Sequence, residues 1–388
     1  MKNIATAFDD ILQREEFQQS TLGIHISKNG VSYCIHPAHQ DVSSSFIKET
    51  SGCFSKQQIL VELNDWDIML KEYLPKINIL ATTVSFPGPI DGENAEIPNW
   101  WSTGENRFSK SEFSKFRFGK HRLDFINEIQ SLGHGLLSTD EFYGLEDDFM
   151  CLWKPPALEV MPTLYPLYLC SDPAAVLQVS HGLGAAFLIP IDSSDSYRVI
   201  ASEWGHSFVQ LCGPEETGYD EEFDLVSFIG KKSGSAVEWE DICSLRGLVN
   251  CFMFVSKTNM KADQIIDTIR KDPTGFHSSK ALSIHFKFLM RFARMCAISF
   301  TCKSVFLTYN VFEGGNKALM KHITQCRDEF MHFTKSEWVS SVSVFIQTSN
   351  KNISAEGVMY HAFLRLARSE GEEIAAVDGD GDNTNEGM

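Results

Sequence analysis

The segment Val84-Ser-Phe-Pro-Gly-Pro-Ile-Asp-Gly92 constrains the fold more than any other part of the chain. Pro87 and Pro89 fix φ and remove backbone donors, while Gly88 and Gly92 reach conformations closed to other residues, so this turn has one required shape. It follows a nearly continuous apolar run at residues 77–86, which reads as a buried strand. A turn this restricted at a strand end either holds a ligand or locks architecture. The Pro98-Asn99-Trp100-Trp101 that follows offers the polar and aromatic surface that a small polar ligand such as a sugar would meet. A rigid β-turn beside a buried tryptophan pair is the other reading, and these residues alone leave both open.

A chain of 388 residues exceeds the usual length of one domain, so two packed lobes are expected. The net charge of -17 and the lack of any Lys/Arg-rich run argue against nucleic acid or an anionic membrane as partner, since both require a positive field. Ten cysteines without a C-x-x-C pair read as reduced intracellular thiols, with no disulfide frame and no metal site. No signal peptide or Arg-rich presequence is legible at the N-terminus, no apolar run approaches the roughly 18 residues of a spanning helix, and the final Glu-Gly-Met is not a peroxisomal address. The expected place is therefore intracellular, in the cytoplasm.

Along the chain, residues 1–20 read as an N-terminal helical extension. Strands at 22–26 and 31–35 join across Lys28-Asn29-Gly30 as a hairpin, helical periodicity follows at 57–73, and 122–126 is a buried strand leading into a helix through Leu136. An irregular insertion is expected at 138–171. A second hairpin, 175–179 with 184–190, turns at Ser180-His-Gly-Leu-Gly184; it is followed by a β segment at 199–208, an acidic loop at 214–224 and mostly helical sequence from 225 to 297. A hairpin-like β signal at 304–311, a strand at 342–347 and a helix at 354–366 complete the pattern. The expected domains are a small α/β lobe at 21–135 completed by a C-terminal helix at 352–368, a large α/β lobe at 136–351, and a disordered acidic tail at 369–388.

Five pieces in this order, residues 85–92, Phe125-Ile-Asn-Glu128, His181-Gly-Leu-Gly184, Glu203-Trp-Gly-His206 and Glu240 with Gly247-Leu-Val-Asn250, resemble the bacterial-type glucokinases. These belong to the actin-like, hexokinase-like sugar kinase superfamily, and the insertion at 138–171 looks like that of kinetoplastid glucokinases. The resemblance covers roughly residues 21–368. It implies an α/β, two-lobed actin-like ATPase (ribonuclease H-like) fold, each lobe a mixed β-sheet with flanking helices. It further implies glucose bound between the lobes, an acidic residue accepting the proton of the 6-hydroxyl, and backbone amides with magnesium holding the phosphates of ATP.

By that resemblance Asn99, Asn127, Glu203, His206 and Glu240 are the substrate-binding residues. The mixture suits a sugar: carboxylates accept from hydroxyls, while an amide and an imidazole also donate. Each alone would pass for an ordinary core or surface polar residue. Glu128 stands where the family has the Asp base, and a misplacement of about 1 Å by its extra methylene can cost on the order of 10²-fold in rate.

The phosphate side departs from the family. The first hairpin, Asp-x-Gly-Gly-Thr-Asn in the family, reads His25-Ile-Ser-Lys-Asn-Gly30 here, without the magnesium-holding Asp or the glycine pair. The second phosphate loop keeps Gly182 and Gly184, the expected cofactor-binding residues, but has His181 in place of Thr. Thr308-Tyr309-Asn310 replaces the glycines of the adenosine strand, where Tyr309 would fill the space of a purine, and Ser244-Leu245 replaces Ser-Gly. Gly314-Gly315 reads as the end of a turn, and Asp378-Gly-Asp-Gly-Asp-Asn383 imitates half of a calcium loop but lacks its twelfth ligand.

The reading that follows is a glucokinase-like protein with impaired phosphoryl transfer that keeps a cleft for glucose or a similar hexose and works as a sugar-responsive binding or scaffold protein, with no cofactor expected. One alternative is an active glucokinase using Mg-ATP with Glu128 as base. Another is a structural subunit with an empty cleft, joined to a protein partner through the N-terminal helix or the insertion.

Overall fold

A computed structural model describes residues 15–27, 30–38, 46–51, 55–73, 75, 77–98, 105–154, 169, 171–191 and 196–379. Two compact units divide the chain, one of residues 1–143 with 352–388 and one of residues 144–351. The expected N-terminal helix falls mostly on residues 1–14, outside the described residues, and a short 3-10 turn at Glu15–Gln18 runs directly into the first strand.

In the first unit, β1 (Gln19–Ser27) and β2 (Gly30–Pro37) form the expected antiparallel hairpin, and β3 (Phe46–Ser51) extends it. Helix α1 (Lys56–Tyr73) leads to β4 (Asn78–Phe86), which lies parallel to β1. A small ribbon, β5 (Asn94–Glu96) with β6 (Arg107–Ser109), and the short helix α2 (Lys110–Phe113) precede β7 (Leu123–Asn127), which is parallel to β4. The sheet order is β3-β2-β1-β4-β7. Strands β1 and β2 are buried along almost their whole length, on both faces of the sheet. Phe86, at the end of β4, sits in a cluster with Phe108, Phe113 and Phe125, with ring centroids 5.1, 6.2 and 4.9 Å away. This cluster anchors the base of the constrained turn.

Helix α3 (Glu128–Phe142) follows β7 and runs six residues past the expected end at Leu136. Its extension has a partner in the last helix of the chain, where the Tyr360 hydroxyl donates to Glu141 and the Tyr360 ring lies 5.6 Å from that of Phe142, and the earlier turns of α3 meet the same helix. A Cβ on Gly357 would lie 1.8 Å from the Ser131 carbonyl oxygen, and one on Gly135 would lie 2.0 Å from that of Ile353, so the two helices touch backbone to backbone at glycines.

The second unit opens with α4 (Leu145–Asp148) and β8 (Phe149–Trp153). The expected irregular insertion at 138–171 is thus corrected over its first half: the buried side chains of α3 and the antiparallel pairing of β8 at a sheet edge give it regular structure, while residues 155–168 lie outside the described residues. Strands β9 (Ala174–Val179), β10 (Leu183–Pro190) and β11 (Tyr197–Ser202) form an antiparallel meander. The acidic loop expected at 214–224 is largely helix α5 (Tyr219–Ser233), whose Asp220, Glu221 and Glu222 occupy the first turn, where the helix dipole favours negative charge. Helices α6 (Glu240–Cys243), α7 (Leu245–Ser256), α8 (Ala262–Lys271) and α9 (Phe276–Ser299) follow.

Strand β12 (Ser304–Tyr309) is parallel to β9 rather than part of a hairpin. Helices α10 (Gly315–Lys321), α11 (Ile323–Met331) and α12 (Ser336–Val339) connect it to β13 (Ser343–Gln347), again parallel. The order is β11-β10-β9-β12-β13-β8. Both units therefore place an antiparallel hairpin beside two parallel strands, the repeated mixed sheet of the α/β expectation.

The last helix, α13 (Ile353–Gly379), belongs to the first unit. It continues through the stretch expected as a tail from Ser369, crossing Gly371, whose cost of about 1 kcal/mol is set against the helix-favouring Glu and Ala around it, and ends at Gly379. Among the described residues no helix is long and apolar enough to cross a membrane, and no His/Cys/Asp/Glu group could hold a metal ion.

Candidate functional site

In the first unit the constrained turn is a tight backbone crossing. Gly88 is required there because a Cβ would lie 2.0 Å from the Glu96 carbonyl oxygen, and Gly92 has a φ of 90°. The Pro89 carbonyl accepts from the Glu96 amide at 3.1 Å, closing the turn. Asn99 and the Trp100-Trp101 pair lie outside the described residues.

Asn127 links this turn to helix α3. As the N-cap its Oδ1 accepts from the Ile129 amide at 2.7 Å, and its Nδ2 donates to the Gly88 carbonyl at 2.9 Å. A second lone pair and a second N–H remain for a hydroxyl group. Glu128 is the first residue of α3 and its side chain is 20% exposed.

The parallel register of β1 and β4 sets His25 opposite Ser85. The His25 Nδ1 lies 2.8 Å from the Ser85 Oγ, and its Nε2 lies 3.9 Å from Oε1 of Glu128. Burial pushes His25 down to about 4, so the imidazole is neutral at physiological pH. Sequence reading noted the missing Asp at this position but not the hydrogen bond that replaces it. Both strands are buried on both faces, so no local pattern carried that signal; the parallel register of β1 on β4 creates it.

In the second unit the turn between β9 and β10 is held from three directions. The Ser180 amide donates to the Gly182 carbonyl at 2.9 Å, and the Leu245 amide, opening α7, donates to Ser180 at 2.8 Å. The Leu183 amide donates to Oε2 of Glu240 at 3.1 Å. Glu240 therefore engages an amide of the turn that the resemblance reads as a phosphate loop. Its Oε1 accepts from Arg246 at 3.2 Å, and Arg246 also pairs with Asp241 at 2.9 Å. Gly182 sits in the bend beside Glu240, whereas Gly184 is already inside β10, paired with Gln178.

Glu203, Trp204, Gly205 and His206 form a 3-10 turn capped by Glu203. Gly205 presses on the β9–β10 turn, where a Cβ would lie 2.1 Å from the Leu183 carbonyl oxygen. The His206 Nδ1 donates to Oε2 of Glu238 at 2.8 Å, and its Nε2 lies 3.9 Å from Oε2 of Glu203. The hydrogen bond to Glu238 raises the His206 pKa; partial burial opposes this, and the charges of Glu240, Glu238 and Glu203 reinforce it. The structure thus brings Glu203, His206 and Glu240 to one face of the β9–β10 turn, and adds Glu238 and Arg246, which sequence reading missed. The acidic run Glu238-Trp-Glu-Asp241 was the available signal.

Tyr309 is a core residue, 3% exposed. Its hydroxyl lies 3.2 Å from Nε2 of His285, whose Nδ1 donates to the Ile242 carbonyl at 2.7 Å, and its ring packs against Phe286 and Phe312. Gly314-Gly315 ends a turn, as expected, closed by the Gly315 amide donating to the Phe312 carbonyl at 3.0 Å, and leads directly into α10; Gly314 has a φ of 84°, and a Cβ on Gly315 would meet the Tyr309 ring at 2.4 Å. Ser244 caps α7 through the Gly247 amide at 3.2 Å.

These geometries belong with three comparisons. A match to the Glucokinase family spans residues 58–315. "Glucokinase 1" of Trichomonas vaginalis is 28% identical over 316 residues, covering 79% of this chain and 83% of that protein. Among solved structures, glucokinase from Balamuthia mandrillaris in complex with glucose aligns with a TM-score of 0.80 at 23% identity, over 93% of this chain and 99% of that one. Leishmania braziliensis glucokinase aligns with a TM-score of 0.73 at 17% identity, over 92% and 96%. Both structural likenesses carry the fold: the two-domain sugar kinase form of the actin-like ATPases. With the family match extending over well more than half of its length, the chain belongs to the glucokinase family.

Proposed function

We propose that this protein is a hexose-binding member of the glucokinase family in which phosphoryl transfer from ATP is impaired, so that it works as a sugar-responsive binding or scaffold protein. Enzymes of the family use ATP with magnesium. The observation that carries the proposal is His25. At the position where the resemblance sets a magnesium-holding Asp, this chain has a neutral imidazole, 4% exposed, with one nitrogen committed to Ser85. Magnesium is a hard cation that takes oxygen ligands, and a buried neutral ring supplies neither the oxygen nor the charge. The residues therefore do not fit the metal-nucleotide half of the reaction.

On the sugar side, Glu203, His206 and Glu240 in the second unit and Asn127 in the first retain acceptors and donors for hydroxyl groups. Asn99 is proposed with them from the sequence. A second reading, an active glucokinase, draws on Glu128, whose carboxylate reaches solvent at the first position of α3.

Thermal unfolding with glucose and with Mg-ATP added separately tests the proposal. A rise in Tm with glucose and none with Mg-ATP is expected, of a size set by mass action, roughly 2.7 kcal/mol at a hundred times Kd. Formation of glucose 6-phosphate above trace rates, abolished by Glu128→Ala, would establish the active reading instead. No shift with glucose would remove the hexose site.

A further inference from the structure

We propose that Glu238, which lies outside every position carried over from the resemblance, is the positioning residue of the hexose site: it holds the His206 ring through Nδ1 so that Nε2 is presented to a sugar hydroxyl. The inference rests on the hexose-binding reading above and concerns the same face of the second unit.

The geometry supports one orientation. A carboxylate only accepts, so the contact of 2.8 Å between His206 Nδ1 and Glu238 Oε2 places a proton on Nδ1 in either charge state. The opposite nitrogen is then the one that changes. When the ring is neutral, Nε2 is an acceptor; when the ring is charged, Nε2–H is a donor. Glu238 is itself held, its amide donating to Oδ2 of Asp241 at 3.1 Å, on the short loop that leads into α6 and Glu240. One loop therefore fixes two of the hydroxyl-facing groups: Glu240 directly, and His206 through Glu238.

Among the described residues the charged groups facing His206 are carboxylates: Glu203 from the start of its own turn, Glu238 from the loop and Glu240 from α6. They favour the imidazolium, so the donor form persists to higher pH than in an isolated histidine. This gives the site a pH-dependent polarity. Below the His206 midpoint Nε2 donates to a sugar oxygen, and above it the same nitrogen must accept from a sugar hydroxyl, in competition with Glu203 and Glu240. Hexose affinity is therefore expected to be level below the midpoint and to fall above it.

The experiment compares the full-length wild-type protein with Glu238→Gln and the conservative Glu238→Asp. The ring nitrogens of His206 are followed by NMR from pH 5.5 to 8.5, and glucose affinity is measured calorimetrically over the same range. The expected result is a lower His206 midpoint in Glu238→Gln, with the break in glucose affinity moving down in step and Kd at pH 7 weakened about fivefold, the upper range for a half-exposed ion pair. Glu238→Asp should restore part of both. A break in wild-type affinity at the His206 midpoint also supports the proposal, independently of any variant. An unmoved His206 midpoint, or a midpoint that moves while the affinity profile stays, overturns this inference alone. Failure of the wild-type protein to bind glucose overturns the hexose reading and this inference with it.

Discussion

Arg291 forks Glu222 in the interior of the second unit, its two terminal nitrogens 2.9 and 3.0 Å from the two carboxylate oxygens. The side chains are 3% and 4% exposed, and Glu329 accepts from Arg291 Nε at 2.9 Å. Burial by itself would raise the Glu222 pKa, but hydrogen bonds from Arg291, Lys287 and the Cys212 amide outweigh it and bring the carboxyl down to about 2. Its folded-state value lies below the unfolded one, so this stabilisation is present above about pH 4.5 and is lost as pH falls toward 2. Glu222→Gln leaves Arg291 without its bidentate partner and should cost about 3 kcal/mol or more at pH 7. Denaturation curves at pH 7 and pH 3 measure this, and an equal loss at both would reject the role of the charge.

A second acid limb should begin earlier. His25, His285 and His361 are pushed down to about 4 by burial, and His134 is pushed lower than its ordinary value by burial, with His361 and Arg368 adding to it. Each binds its proton more readily when unfolded, so stability is full above about pH 6.5 and declines toward pH 4, at up to roughly 1.4 kcal/mol per pH unit for each ring. His361→Gln, which can keep the 3.1 Å contact with Thr83 Oγ1, should flatten the slope of Tm against pH between 6.5 and 4. An unchanged slope would show that His361 is not among the groups that titrate on unfolding.

Asn127 performs two separable tasks. Asn127→Ala removes both the cap and the bond to Gly88 and should lower stability by about 1 kcal/mol through the cap alone. Asn127→Asp keeps the acceptor for the Ile129 amide but cannot donate to Gly88, so it should recover stability without recovering glucose affinity. Tm together with calorimetric glucose binding separates the two. Equal affinity in Asn127→Asp and wild type would mean that the link to the turn is unimportant for the ligand.

Gly205→Ala puts a Cβ 2.1 Å from the Leu183 carbonyl oxygen, an overlap that the backbone must relieve by separating the His206 turn from the β9–β10 turn. Stability should fall by about 1–3 kcal/mol, as overpacking costs elsewhere, and glucose affinity should fall with it. A soluble variant that binds glucose normally would show that His206 and Glu240 need no fixed spacing.

Much of the architecture was legible because burial writes itself into the sequence. The stretches at 22–26, 31–35 and 77–86 are rich in apolar residues because β1, β2 and β4 are buried. The parts that escaped depend on tertiary partners. Strand β8 is regular because β13 lies beside it, and the end of α3 is helical because α13 covers it; neither partner is near in sequence. At the candidate site, Glu203, His206 and Glu240 were found through their resemblance to a known pattern, while Glu238 and the His25–Ser85 bond became visible only once their neighbours were placed.

The backbone contact between α3 and α13 governs the order in which the chain matures. Residues 144–351 are continuous and leave the ribosome with every strand of their sheet in hand. The first unit has all five strands of its main sheet by residue 127, yet the helix that meets Gly135 and lies along β1 at Gly23 is synthesised only after the second unit. Since domains fold as units during synthesis, the second unit closes while the first still exposes the surface reserved for α13. A nascent chain halted before residue 353 thus carries a finished second unit beside an unfinished first one, and loss of α13 would be felt in a sheet completed more than two hundred residues earlier.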